Sequence, residues 1–280
     1  MVVSLKLTDQ TKQNIFNEVS IQKRIPSNAI EKDWWVVHSL ALLFSMDCAS
    51  SMIFKGGTSL SKGWNLIQRF SEDIDLVLDR EFLGFPGELS TRDIKNLRKA
   101  SRKYITTTFT SELQGKFIEV GLANVMVKAR EFESSGQDPM IVEIYYPKLT
   151  ETDSYLWPGL LLEIGARSLM EPFTPCSLST LVAEIYKDKP FADHFITVPT
   201  ANPERTFLEK IFLLHEEFQK PVEKIRVERL TSKALGNYFR TVNHIAPFQL
   251  IYNLLTKNIW QLASRAIHLH YIFFHKFRFS

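Results

Sequence analysis

Cysteine is scarce in this chain: Cys48 and Cys176 are the only two in 280 residues, far apart and at no metal-ligand spacing. That excludes a disulfide framework or a thiolate zinc module and fits a reducing compartment. No apolar run is long enough to cross a bilayer. The opening MVVSLKLTDQTKQ lacks the apolar stretch of a secretory leader, so a cytoplasmic location without a membrane partner is expected. Internal repeats and low-complexity linkers are absent too, which excludes a solenoid. The sharpest shortage is of acid. After Glu228 there is no Asp or Glu, while Arg229, Lys233, Arg240, Lys257, Arg265, Lys276 and Arg278 contribute +7. At the frequency of the first 228 residues, which hold all 31 acids, the last 52 would contain about seven. The net charge of +3 therefore combines a body of −4 with a basic tail.

What is present suits a globular protein with a full core: 45% apolar and 23% charged residues. Spaced apolar residues predict a first helix over Leu5 to about Gln22. A second is predicted from Ser27-Asn28 to about Phe44, with Asn28 and Glu31 at capping-box spacing and Trp34, Val37, Leu40 and Ala41 on one face. His38, among apolar neighbours, reads as a structural histidine. Met52 to Phe54 reads as a strand, Gly56-Gly57 as a turn, Thr58 to about Ile67 as a helix and Ser71 to Leu78 as a strand. Arg92 to Leu113 is basic and helical; Met140 to Tyr146 and Leu160 to Ile164 are further strands. From Leu178 the pattern is helical, first to Tyr186 and then over Glu204 to Phe218. The expected fold class is α/β (α+β), a mixed sheet flanked by helices with a mostly helical C-terminal region. The boundaries read as 1–177 for the core with its N-terminal helices and 178–280 for the helical region, of which 228–280 is the atypical basic tail.

The chemistry concentrates between residues 56 and 75. In Asp73-Ile74-Asp75-Leu76-Val77-Leu78, a period of two puts both aspartates on one face and Ile74, Leu76 and Leu78 on the other. Carboxylates so placed can hold a divalent cation through hard oxygen ligands and leave room for waters and phosphate oxygens. A Gly56-Gly57 turn feeding a helix lets backbone N–H groups approach a phosphate, and Thr58 and Ser59 at the helix start can cap it and touch phosphate oxygens. Each half is common by itself: Asp-x-Asp recurs by chance as solvated strand-end charge, and Gly-Gly before a helix is usually a turn. The ordered combination, strand, GGTS, helix, strand, DxD, is far more specific. Lys55 to Gly63 lacks the residue order of a P-loop. A metal-dependent glycosyltransferase shares only the Asp-x-Asp. Glu163 faces away from Leu162 and Ile164 and is a third carboxylate candidate, with Glu143 competing for that role. Lys210 stands off the apolar face formed by Phe207, Ile211 and Leu214.

The segment KGGTSLSKGWNLIQRFSEDIDL closely resembles the signature of the AbiEii family of nucleotidyltransferase toxins, in the DNA polymerase β-like superfamily. IEKDWWV before it, and LLEIGAR and PERTFLEKIFLLH after it, are similar to that family in the same order, so the resemblance covers roughly Pro26 to Arg226. It implies transfer of an NMP from an NTP to a hydroxyl of an RNA, such as a tRNA 3′ end, or of a protein. It further implies Mg2+ or Mn2+ as cofactor, an RNA acceptor and a cognate antitoxin. By that resemblance Gly56, Gly57, Thr58 and Ser59 line the triphosphate site and Asp73 and Asp75 bind metal; Glu163 is a candidate metal ligand from its strand position alone. Ser71 matches the serine two residues before the first aspartate, and Lys210 the lysine expected on the nucleotide phosphates. One departure stands out: where the family carries an aspartate after the lysine helix, residues 228–238 hold only Glu228 at their start and no aspartate. We hypothesise that a shifted reading frame or recombined end beyond about Val227 caused that break. A catalytically degenerate member that binds nucleotide or a partner protein without turnover is the alternative.

Overall fold

A computed structural model of the protein describes residues 5–67, 73–131, 138–151, 159–167, 170, 172–189, 191–192, 195–206 and 209. The chain divides into two compact units, Met1–Arg205 and Thr206–Ser280. Most of the second unit, including nearly all of the helix expected over Glu204 to Phe218, lies outside the described residues.

The first unit is built on a seven-stranded mixed sheet in the order β3-β4-β5-β2-β1-β7-β6. Its strands are β1 (Met52–Lys55), β2 (Asp73–Leu78), β3 (Met126–Ala129), β4 (Met140–Tyr145), β5 (Leu160–Gly165), β6 (Phe173–Leu178) and β7 (Ile196–Ala201). β2 pairs antiparallel with β1 and parallel with β5, so the strand carrying the two aspartates lies in the middle of the sheet. The helices are α1 (Asp9–Lys23), α2 (Ser27–Leu43), α3 (Gly56–Lys62), α4 (Thr91–Tyr104), α5 (Thr110–Glu119) and α6 (Leu181–Ile185). A wide π turn, Ile105–Phe109, joins α4 to α5.

Alternation along the strands divides the sheet into two unlike faces. Phe54, Ile74, Leu76, Leu78, Val142, Ile144, Leu160, Leu162 and Ile164 are buried in one core with Phe16 and Val19 of α1, Trp34 and Leu40 of α2, and Leu113 and Phe117 of α5. Among the described residues, the other face has a small apolar cluster of Ile53, Val77 and Ala201 against Met170. Asp73, Asp75 and Glu163 have register positions on that second face and are partly accessible.

α2 departs from the one-sided helix its sequence suggests. It is buried on nearly every side, Ala41 being one of its less covered residues, and it carries Glu31, Lys32 and Asp33 into the interior. Burying a charge is costly without partners, and here partners are found. The Glu31 carboxylate accepts from the Leu149 and Thr150 N–H groups at 2.9 and 3.0 Å and from the Thr150 hydroxyl. Asp33 accepts from the Leu181 N–H at 2.7 Å and pairs with Lys62 of α3 at 2.5 Å. Glu31 therefore serves the loop after β4 rather than a capping box, and Asn28 makes no cap: α2 starts behind Pro26 with no side-chain cap. A reciprocal capping box occurs instead at α4, between Ser90 and Asp93. His38 is buried, with Nδ1 2.6 Å from the Trp34 carbonyl oxygen and its ring 3.9 Å from that indole.

Strands β3, β6 and β7 carry no strong signal in the sequence. β3 is short and its Met126 and Lys128 are exposed, β6 has Pro175 at a sheet edge, and β7 contains Pro199. Because β6 pairs with β7, and β7 with β1, the sheet continues past the boundary drawn at residue 177, and the region after Leu178 contributes a strand as well as α6.

Candidate active site

The register between β1, β2 and β5 assembles the site. Asp75 is the cross-strand partner of Lys55 on one side and of Glu163 on the other, and Asp73 is the partner of Leu161. Directly paired residues share a face, so Lys55, Asp75 and Glu163 form one row with Asp73 two residues along the strand. Asp73, Asp75 and Lys55 each take part in polar or electrostatic interactions. Among the described residues, no group of three or more His, Cys, Asp or Glu side chains is arranged to hold a metal ion. The carboxylate set is therefore the Asp73–Asp75 pair, with Glu163 beside it on the next strand.

The β1–α3 junction brings the backbone unusually close to this pair. Gly56 has φ +78°, a left-handed conformation, and a Cβ there would overlap Asp75 Oδ2 outright and lie 2.8 Å from the Asp75 Cβ. The Asp75 side chain thus rests against the bare Cα of Gly56, a place open only to glycine. Gly56 is already the first residue of α3 and not a turn before it, and the helix ends at Lys62, well short of Ile67. At its far end Gly63 lies under Thr200 and Cys176, and the Trp64 indole N–H donates to the Ala201 carbonyl at 3.0 Å. These contacts hold the short helix against β6 and β7.

Thr58 and Ser59 are placed differently from their expected role. Both are buried; the Thr58 hydroxyl donates to the Asp73 carbonyl and the Ser59 hydroxyl to the Gly56 carbonyl at 2.9 Å. Their O–H donors are thus committed within the scaffold. What the first turn of α3 can offer an anion is backbone N–H, which has no acceptor inside the helix. The Thr58 bond fixes that turn to the start of β2, so the helix-starting backbone and the carboxylates are held as one piece. Asp33 adds a brace that the sequence motif did not reveal: its ion pair with Lys62 ties α3 to α2 in the interior, where burial pushes the Asp33 carboxyl up while Lys62 and the Leu181 N–H act against that shift. Glu143 belongs to a different group. Burial would raise its pKa, but hydrogen bonds from Tyr145 and Arg130, both at 2.7 Å, and the Arg130 charge hold it below the usual carboxylate range. It is engaged there rather than beside Asp75. Ser71 and Lys210 lie outside the described residues.

A family model described as "Nucleotidyl transferase AbiEii toxin, Type IV TA system" matches residues 41–227. The match ends where acidic residues all but cease. Comparison with curated proteins returns no match. Among solved structures, MenT4, a nucleotidyltransferase toxin from Mycobacterium tuberculosis H37Rv, is similar at 16% identity and a TM-score of 0.44, over 74% of this chain and 59% of that one. The chain thus spans about three fifths of that toxin's length.

Proposed function

Because the chain belongs to the AbiEii family of nucleotidyltransferase toxins, we propose that it transfers a nucleoside monophosphate from an NTP to a hydroxyl of an RNA acceptor, such as a tRNA 3′ end. The observation that carries this reading is the close approach of Asp75 to Gly56, which joins a carboxylate pair to a helix-starting backbone turn in one rigid unit. In the reaction the acceptor oxygen forms a bond to the α-phosphorus, the bond from that phosphorus to the bridging oxygen breaks, and pyrophosphate leaves. Catalysis of this kind is mostly positioning and charge stabilisation.

The donor set at the site suits Mg2+ or Mn2+: two adjacent carboxylates supply hard oxygens, and Mg2+ commonly takes only one or two from protein. Asp73 and Asp75 would hold the ion, which when bound supplies neutralisation of the triphosphate and acidifies the attacking hydroxyl. Backbone N–H groups of Gly57, Thr58 and Ser59 orient phosphate oxygens, while the Thr58 and Ser59 hydroxyls keep the turn in shape. Glu163 orients Asp75 from the neighbouring strand or adds a water-mediated ligand. Lys210, as a phosphate-contacting group, and Ser71, as the catalytic-motif serine before Asp73, fall under the family resemblance alone. A cognate antitoxin is the partner this family membership suggests.

A second reading, nucleotide binding without turnover, draws support from the lack of any acid after Glu228. Incubating the protein with Mg2+, each α-labelled NTP and total RNA, alongside Asp73→Ala, tests both. Label entering RNA with the native chain only supports transfer. Nucleotide binding with no product from a folded protein points to the second reading.

A further inference from the structure

Beyond the carboxylate row, a cavity of about 430 Å³ opens near the C-terminal ends of β2 and β5, lined by Arg80, Glu88, Leu89, Ile94, Leu97 and Arg167. Its arginines flank an apolar wall from α4, where Leu97 is buried outside the main core. The Nε atoms of Arg80 and of Arg98 are buried and have no hydrogen-bond partner among the described residues. A buried guanidinium N–H without an acceptor calls for an anion or water. Arg80 also donates to the Gly87 carbonyl, which fixes its guanidinium at the cavity wall. Arg167 is half exposed and lies 3.9 Å from Asp138. Asp138, raised chiefly by burial, feels the opposing charges of Arg167, Arg98 and Lys55. Lys55 is the cross-strand partner of Asp75, so the arginine group and the carboxylate row share one electrostatic neighbourhood.

α4 extends this charge. Lys95, Arg98 and Arg102, at spacings of three and four, fall along one flank of the helix bordering its buried Leu97–Ser101 face. A basic helix flank by itself is an ordinary solvated surface. Here it adjoins a cavity whose wall carries an unmatched guanidinium N–H. Arg167 is four residues beyond Glu163, about 13 Å along an extended chain. That separation exceeds a single phosphate contact and suits a strand entering a few nucleotides from its reactive end, at roughly 3.4 Å of rise per stacked nucleotide.

We propose that the Arg80–Arg167 cavity, continued by the Lys95–Arg98–Arg102 flank of α4, binds backbone phosphates of the acceptor RNA and sets its direction of approach to Asp73 and Asp75. This rests on the nucleotidyl-transfer reading for its orientation, but its binding test does not. Anisotropy of a fluorescein-labelled RNA hairpin with a 3′-deoxy single-stranded end, titrated with the full chain over a range of salt, measures affinity without turnover. Arg167→Gln and Lys95→Gln are each expected to weaken binding several-fold and to make the slope of log affinity against log salt shallower by about 1. Arg167→Lys should retain most of that slope. Glu88→Gln, removing the acid on the cavity wall, should tighten binding. Lys23→Gln, which removes the same charge from α1, should change little. Thermal melting checks folding, and the exposed Lys95 keeps the test valid if Arg167→Gln is unstable.

No RNA binding by the native chain, or Arg167→Gln and Lys95→Gln variants no weaker than Lys23→Gln, overturns the proposal. A native chain that transfers label while those variants bind normally refutes this site and leaves the proposed function intact. RNA binding with the expected variant pattern but no label transfer does the reverse.

Discussion

Substituting alanine for Gly56 separates the close approach at the site from ordinary backbone strain. A non-glycine residue at φ +78° costs about 1–2 kcal/mol by itself. The new Cβ also meets Asp75, and rotating that side chain does not solve the conflict, since the Asp75 Cβ, fixed to β2, lies 2.8 Å away. Either β2 or the start of α3 must shift, and overpacking of this kind costs about 1–3 kcal/mol. The total is about 2–5 kcal/mol, which at roughly 2–4 °C per kcal/mol for a domain of this size lowers the melting temperature by about 4–20 °C. Gly84 is the internal control: its φ is +85°, but nothing lies within 4 Å of a Cβ there, so Gly84→Ala carries only the backbone cost. Melting curves and α-labelled NTP transfer, measured on both variants, give the comparison. Gly56→Ala is expected to be the less stable and to lose transfer even where it is folded, because Asp75 is displaced. Equal stability of the two variants, with transfer intact in Gly56→Ala, would refute the packing of Asp75 on Gly56.

Other consequences follow from the same geometry. Asp33→Asn strands Lys62 in the interior and is expected to cost about 3–5 kcal/mol by urea unfolding, while Asp33→Leu combined with Lys62→Met recovers much of it; additive losses in that cycle would show the pair is not coupled. Glu143, with its folded pKa depressed, adds stability that is full above the ordinary glutamate pKa and is lost as pH falls through the folded value; Glu143→Gln should flatten stability against pH in that acid window, and an unchanged acid profile would count against the Tyr145–Arg130 contacts. Burial raises both thiols, Cys48 and Cys176, so iodoacetamide at mildly alkaline pH should label them only as the protein unfolds; rapid labelling in the native state would contradict their burial. Translating the coding DNA past codon 227 in its other two frames should restore an aspartate-bearing helix if the basic tail arose by a frame shift; failure of both frames discards that origin.

Much of the site was legible in the chain itself. Alternation in β2 and β5 assigned Asp73, Asp75 and Glu163 to one face because burying one side of a sheet imposes a period of two, a local rule visible in a single strand. The order GGTS then DxD likewise suggested glycines near an aspartate pair, although Gly56 and Gly57 begin the helix rather than form a turn before it. What local pattern could not convey was which partners each strand takes. β3, β6 and β7 have weak propensity, exposed positions or proline, and are strands because neighbours satisfy their backbone hydrogen bonds. The same holds for the charges of IEKDWWV, whose helical spacing says nothing of an acceptor for Glu31 over a hundred residues away.

Sequence alone therefore determined the α/β class, the two faces of the central strands and the shared face of Asp73, Asp75 and Glu163, since each depends on periodicity or on spacing between near neighbours. Tertiary structure alone decided that Gly56 lies under Asp75, that the Thr58 hydroxyl turns inward to the Asp73 carbonyl, that Asp33 braces α3 through Lys62, and that Arg80 and Arg167 share a cavity. The first three depend on register or packing between segments, and the last on how two strand ends meet α4. Such distances arise only when non-local pairs close, and no period along the chain encodes them.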